Sequence, residues 1–510
     1  MVPISPLFNW LRLRAAGVLL HPTSLPGDQG IGTLDGQVDR LLDFLEAAGM
    51  TTWQLCPLGP TGYGDSPYQC FSAFAGNPYL IDLHDLARRD LLTAEELAPL
   101  GRLDPDHVDY GALYELKWPL LHRAGERYLK QGSPPLGGES FAAFKLRNAG
   151  WLDAYAFFRA LKDRHGGRAW TDWPASLRSY AAARRSRLHS ELEPGCEFHR
   201  FYQYVFFTQW QRVRAVAARR GVEIIGDIPI FVAADSADVW THTELFELDP
   251  RTGRPDAVAG VPPDYFSADG QFWGNPLYRW DRHATDGYAW WQDRLRSAFE
   301  LYDIVRIDHF RGFDEYWRVP LPATNARVGK WLPGPGIDLF RALHAAMPEA
   351  KIIAEDLGVV TASVARLREE TGLPGMAVLQ FAFGGEASNP YLPHNLLSNQ
   401  VIYPGTHDND TAAGWYGSAD GKTRDHVRRY LRVNGQEMPW DLIRAAYGGV
   451  SRLAMVTLQD ILSLGTEARL NSPGQAEGNW RWRYRAPALE GLFAGTAPYL
   501  KDLGQLTGRR

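Results

Sequence analysis

Eight short runs of apolar, largely β-branched residues punctuate the chain, at 17–20, 51–57, 222–231, 303–308, 351–355, 375–383, 400–403 and 452–458. Runs this continuously apolar predict parallel strands covered on both faces, not strands with one wet face. Helical patterns separate most of them. In 38–48 the apolar positions Val38, Leu41, Leu42 and Leu45 share one face, with Asp35 placed to cap the start and Gly49 the end. The stretch 201–220 is periodic and stops at Gly221. Trp291, Leu295 and Ala298 share a face ahead of the run at 303, and 337–347 precedes the run at 351. Strand alternating with helix predicts an α/β fold, a (β/α)8 TIM barrel with inserted subdomains. An open doubly wound sheet would need a Gly-rich phosphate turn or a switch point, and the sequence shows neither.

Two stretches break the alternation. Residues 84–195 hold helix-like segments, including 151–165, and no buried strand, which predicts a mainly helical insertion standing on the barrel. Residues 233–280 are dense in Pro, Gly, Asp and aromatics, and too long for an ordinary connection. They predict a functional excursion over a cleft, within the barrel. The barrel itself is expected from 15–83 and 196–505.

Three carboxyls close three of the apolar runs: Asp308, Glu355 and Asp408. In a barrel the strand ends face one cleft, so the three are expected to meet there. A trio of this kind suits glycoside chemistry, in which one carboxyl attacks, one donates a proton and a third grips the sugar. Alternation puts Arg306 and Asp308 on one face, and a guanidinium beside the carboxylate keeps it an anion able to attack carbon. The competing reading is a structural ion pair in the barrel floor. Glu355 leaves an apolar run, so partial burial and anionic neighbours, Asp408 among them, are expected to keep it protonated as a donor. Asp356 points the opposite way, so only one of this pair faces the cleft. The run His407-Asp408-Asn409-Asp410 lacks a second His at ligand spacing and the glycine of a calcium loop, so sugar-hydroxyl binding is preferred to a metal site.

Composition narrows the partners. Across 510 residues, 54 basic and 59 acidic side chains leave a net charge of −5, which gives no basic footprint for nucleic acid and no polybasic membrane patch. The odd count of three cysteines, Cys56, Cys70 and Cys196, without metal spacing, argues against a disulfide framework and for a reducing compartment. The apolar stretch at 15–20 follows Arg12 and Arg14 and is too short for an export signal, so a cytoplasmic protein is expected. Aromatics make up 12% of the chain, and many lie in the glycine-rich loops at 59–69 and 260–276. That placement suits the stacking of flat rings against sugar faces.

Motifs along nearly the whole chain resemble the amylomaltase family, the 4-α-glucanotransferases or disproportionating enzymes of the α-amylase clan, in their short bacterial form. The resemblance is carried by His21-Pro-Thr-Ser-Leu-Pro26, the 59–69 loop, Phe71 to Pro78, Gly226 to Phe231, Asp235 to Trp240 and the 260–276 loop. Further along it is carried by Arg306 to Gly312, Ala354 to Gly358, Gly405 to Thr411 and Gly478 to Arg483. It implies a barrel without a C-terminal β-domain, and a retaining transfer of α-1,4-glucan segments to an acceptor 4-hydroxyl. The alternative is an α-1,4-glucan hydrolase. The roles it implies are Asp308 as nucleophile, Glu355 as acid/base and Asp408 as transition-state stabiliser. Tyr68, Ser66, Asp227, Asp264, Gln271, Trp273, Asn275, Arg306, His309, His407 and Asn479 would bind substrate, and Tyr63 would mark a second glucan site. It further implies no cofactor, no metal, α-1,4-glucans and maltooligosaccharides as partners, and a monomer. Cys56, Cys70, Ala234 and residues 33–36 depart from the family wording, with no expected effect on the chemistry.

Overall fold

A computed structural model of the protein describes residues 6–509, apart from residue 63, residues 264–267, residue 359 and residue 476. Its strands are β1 (Ala15–Leu19), β2 (Thr52–Gln54), β3 (Glu223–Ile228), β4 (Ala257–Val261), β5 (Gln271–Pro276), β6 (Ile304–Ile307), β7 (Glu315–Pro320), β8 (Lys330–Pro333), β9 (Ile352–Ala354), β10 (Gly375–Val378), β11 (Gln400–Tyr403) and β12 (Leu453–Thr457). Eight of them form one parallel sheet in the order β10-β11-β12-β1-β2-β3-β6-β9. Its two ends meet. The Ala354 N–H bonds the Pro374 carbonyl at 2.9 Å, and the Met376 N–H bonds the Asp356 carboxylate at 2.7 Å. The result is a nearly closed (β/α)8 barrel whose strands are the eight apolar runs of the sequence.

The interior follows from strand alternation. Leu19, Ile225, Ile304, Ile353, Val378, Val401, Tyr403, Leu453 and Met455 fill the barrel, while the opposite faces of the strands pack under the helices. Small residues set the spacing. A Cβ on Gly17 would lie 2.0 Å from Thr52 Oγ1, and Gly17 and Thr52 are ladder partners between β1 and β2. Asp35 caps helix Gly36–Ala47 by accepting the Gln37 N–H, and Gly49 takes the left-handed turn at φ 65° that ends it. Helix Glu193–Arg219 likewise ends before Gly221 at φ 66°. Its buried Trp210 packs on Trp53 of β2, while Phe207 packs on Phe144 and Trp151 of the neighbouring helices.

Between β2 and β3 the described residues form helices and no strand, among them Tyr110–Lys130, Phe141–Arg147 and Ala149–Arg164. A second sheet, of order β5-β4-β7-β8, is antiparallel. It joins two separate excursions: β4 and β5 leave the chain between β3 and β6, whereas β7 and β8 lie between β6 and β9. The expected excursion at 233–280 is therefore half of a sheet whose other half comes from later in the chain. No helix among the described residues is long and apolar enough to cross a membrane.

Candidate active site

Parallel strands bring Asp308, after β6, Glu355, after β9, and Asp408, beyond β11, to the same rim of the barrel. The register of β3 against β6 pairs Asp227 with Arg306. The Arg306 guanidinium binds the Asp227 carboxylate with one nitrogen and reaches Asp308 Oδ1 with the other at 2.9 Å. Arg306 is 3% and Asp227 1% exposed, so this pair sits beneath the cleft. Burial raises the Asp227 carboxyl above the usual range, with Arg306 opposing and Asp308 adding to the rise. The Asp308 N–H is pinned to the Ile228 carbonyl at 2.9 Å.

His309 adopts left-handed backbone at φ 53°. That turn sends its N–H to Glu355 Oε2 at 2.7 Å, and the Leu357 N–H binds Oε1 at 2.9 Å, so both carboxyl oxygens are held by backbone donors. Burial nonetheless pushes Glu355 up to about 8, with Asp308 adding to the rise while Arg306 and the two N–H groups oppose it. Anionic neighbours are expected to raise Glu355, Asp408 among them, and the neighbour that adds to the rise is Asp308. Asp356 points away, ion-paired with Arg368 at 3.2 Å and fastened to β10. The His309 imidazole packs edge-on against Trp273 at 4.8 Å between centroids, and burial pulls it down to about 4, which leaves it neutral at pH 7.

Tyr68 links the two sides of the cleft. Its hydroxyl donates to Asp227 Oδ2 at 2.7 Å and, with its one proton so used, accepts from Nε2 of His407 at 2.8 Å. The same Nε2 lies 3.3 Å from Asp408 Oδ2. The rings of Tyr68 and His407 stack at 5.4 Å, and Trp480 leans on both. A continuous chain of contacts therefore runs from Asp308 through Arg306, Asp227, Tyr68 and His407 to Asp408. Asp410 turns out of this line and accepts the Thr466 hydroxyl at 2.8 Å.

The remaining expected residues divide by placement. Trp273 and Gln271 lie together on β5, joined by a 3.1 Å bond from the indole N–H to the amide oxygen. Asn275 is buried, accepting from Gln69 at 2.9 Å and donating to the Val232 carbonyl at 2.8 Å, so it ties the 59–70 loop to β5. The Ser66 hydroxyl accepts the Tyr68 N–H at 3.3 Å inside that loop's turn. Both ends of the Asn479 amide bind its own loop, at Ser472 and Gln475. Tyr63 and Asp264 lie outside the described residues.

Several site residues escape the sequence reading. Asn471 donates to Asp408 Oδ1 at 2.6 Å, and Arg469 donates to the Asp408 carbonyl at 2.8 Å. Both follow the end of β12, and the rule that residues beyond barrel strand ends line the cleft points to that segment. Cys56, set aside as a harmless departure, is buried beside this network. Burial pushes its thiol up, with Asp227 and Asp408 adding to the rise. Cys70 bonds the Pro67 carbonyl at 2.9 Å and stays within its loop.

Comparison with known proteins shows what the chain is similar to. A family model described as 4-alpha-glucanotransferase, Glyco_hydro_77, matches residues 20–489. The chain is 50% identical over 479 residues to a 4-alpha-glucanotransferase of Thermus thermophilus, covering 92% of this chain and 94% of that one. It is 44% identical over 500 residues to one from Synechocystis, covering 98% of each. Among solved structures it resembles the amylomaltase from Streptococcus agalactiae in complex with acarbose, with a TM-score of 0.91 and 36% identity over 97% of this chain and 99% of that chain.

Proposed function

This chain belongs to the 4-alpha-glucanotransferase family, and from that premise we propose how its cleft moves a glucan segment from a donor to an acceptor. The family reaction is transfer, and the hydrolase alternative is not favoured. The observation that carries the mechanism is the unequal state of two neighbouring carboxyls. Asp308 is held in an ion pair by Arg306, while burial and the charge of Asp308 keep a proton on Glu355.

In the first half-reaction Asp308 attacks C1 of an α-1,4-linked glucosyl unit as Glu355 gives its proton to the departing 4-oxygen. The C1–O bond breaks and a β-glucosyl ester forms on Asp308. Glu355 is then an anion. It takes the proton from the 4-hydroxyl of an incoming glucan, whose oxygen displaces Asp308 from C1 and restores the α configuration. Asp408 and His407 grip sugar hydroxyls, and the Asp408 carboxylate stabilises the positive charge that gathers at C1 and the ring oxygen. His309, neutral and wedged between Trp273 and the Glu355 carboxyl, holds the acid with its N–H while its ring backs the aromatic wall.

Transfer outruns hydrolysis when the acceptor site binds sugar well and keeps water poorly placed. The wall built by Trp273, Gln271 and the 59–70 loop, tied together through Gln69 and Asn275, supports that role. Each group used here comes from one chain, which fits action as a monomer on α-1,4-glucans and maltooligosaccharides. The test is incubation with maltotriose. A ladder of longer chains together with glucose is expected, and Asp308→Asn is expected to abolish it. Products that are only shorter than the substrate would return the hydrolase reading, and an active Asp308→Asn enzyme would remove the nucleophile.

A further inference from the structure

We propose that Asn471 is a positioning residue for Asp408, its side-chain amide fixing the direction in which that carboxylate faces the cleft. The inference rests on the role given to Asp408 above and adds a group that the sequence motifs do not contain. The Asn471 Nδ2–H donates to Asp408 Oδ1 at 2.6 Å, while Oδ2 faces His407 Nε2 at 3.3 Å. The amide donor holds Oδ1 directly while Oδ2 lies beside the His407 ring, so rotation of the carboxylate about its Cβ–Cγ bond breaks the Asn471 bond and turns Oδ2 off the ring. The Asp408 side chain is still 41% exposed, so the carboxylate stays open to the cleft.

Asn471 is itself held rigidly. On one side the Leu470 carbonyl accepts the Trp480 N–H at 2.7 Å, and on the other the Ser472 N–H bonds the Asn479 side chain at 2.8 Å. Arg469 clamps both partners at once, bonding the Asn471 carbonyl through Nε and the Asp408 carbonyl through Nη2, each at 2.8 Å. A segment beyond β12 is thus locked to the segment beyond β11, and the amide carries that lock to the Asp408 carboxylate. A donor held by its own shell of bonds places a functional group far better than a free side chain does.

An amide suits the task because it donates without bringing a charge of its own beside Asp408. The charged or titratable groups in contact with Asp408 are His407 at Oδ2 and Arg469 at its carbonyl, and the buried Cys56 thiol is near enough to feel its charge.

The experiment compares Asn471→Asp, Asn471→Ala and Asp408→Asn with the wild-type full chain, using maltotriose disproportionation from pH 4 to 9. Asn471→Asp keeps the shape and removes the donor. At neutral pH its kcat is expected to fall by about tenfold to a hundredfold with little change in KM, the range that a misplaced catalytic group produces. Toward acid pH Asn471→Asp is expected to regain activity relative to Asn471→Ala, because two adjacent carboxyls share one proton and so restore a donor beside one negative charge. Melting midpoints confirm that the variants are folded. Wild-type kcat in both Asn471 variants, or a loss in Asn471→Asp that acid does not relieve, overturns the proposal. Full activity in Asp408→Asn would instead remove the underlying assignment of Asp408, so the two failures are told apart.

Discussion

At the scale of single residues, Glu355 shows how the site trades stability for chemistry. Its carboxyl is raised from the ordinary carboxylate range to about 8 in the folded chain. Below about pH 4 folded and unfolded chains both hold the proton, and the group costs nothing. As pH rises toward 8 the unfolded chain ionises first, so stability is lost progressively across that window. Glu355→Gln is therefore expected to melt at the wild-type temperature near pH 4 and a few degrees above it at pH 8, while losing transferase activity at both. Calorimetry at the two pH values checks the sign. In the active enzyme the same proton sets the alkaline limb of kcat/KM for donor cleavage, expected near pH 8. The carboxyls themselves were legible in the sequence because each ends an apolar run. Asn471 was not, because an asparagine in a Pro- and Gly-rich loop looks like any turn residue until the fold brings it across to β11.

Among elements, the ladder between β3 and β6 fixes the ion pair that the chemistry depends on, since Asp227 and Arg306 are register partners. Removing one member of a buried pair leaves an uncompensated charge, so Arg306→Met is expected to cost about 3–5 kcal/mol in chemical denaturation as well as activity. The β1–β2 ladder is equally intolerant: Gly17→Ala puts a methyl group on Thr52 and is expected to cost about 3 kcal/mol or more, measured in the same way. The eight barrel strands were readable because strands buried on both faces are apolar without interruption. The antiparallel sheet was not, for a related reason. Its strands are four to six residues long and contain Gly260, Gly274, Pro276, Pro320 and Pro333, so locally they look like loop. The pairing of β4 with β7, between distant parts of the chain, joins the two local hairpins β4-β5 and β7-β8 into one sheet.

For the whole molecule, the two ends of the barrel carry different duties. The rim at the strand ends holds the carboxyls, whereas the opposite end is fastened by the C-terminal segment. Arg509, 3% exposed, donates to the carbonyls of Ala15, Ala446, Tyr447, Gly449, Ser451 and Arg452, joining the chain's end to the starts of β1 and β12. Arg14 reaches the Thr507, Tyr447 and Gly449 carbonyls beside it. Arg509→Met is expected to lower the melting midpoint by a few degrees while leaving kcat unchanged below that temperature, because no rim residue is touched. A parallel fall in kcat at low temperature would show the two ends to be coupled.

The shared antiparallel sheet bears on how this enzyme could be re-engineered. Trp273, on the wall of the cleft, and the stretch that follows Asp308 belong to excursions stitched together by β4 and β7, so neither tolerates exchange alone. A graft from another enzyme would have to replace 257–333 as one cassette, the barrel strand β6 included, and swaps of the shorter pieces should give misfolded hybrids.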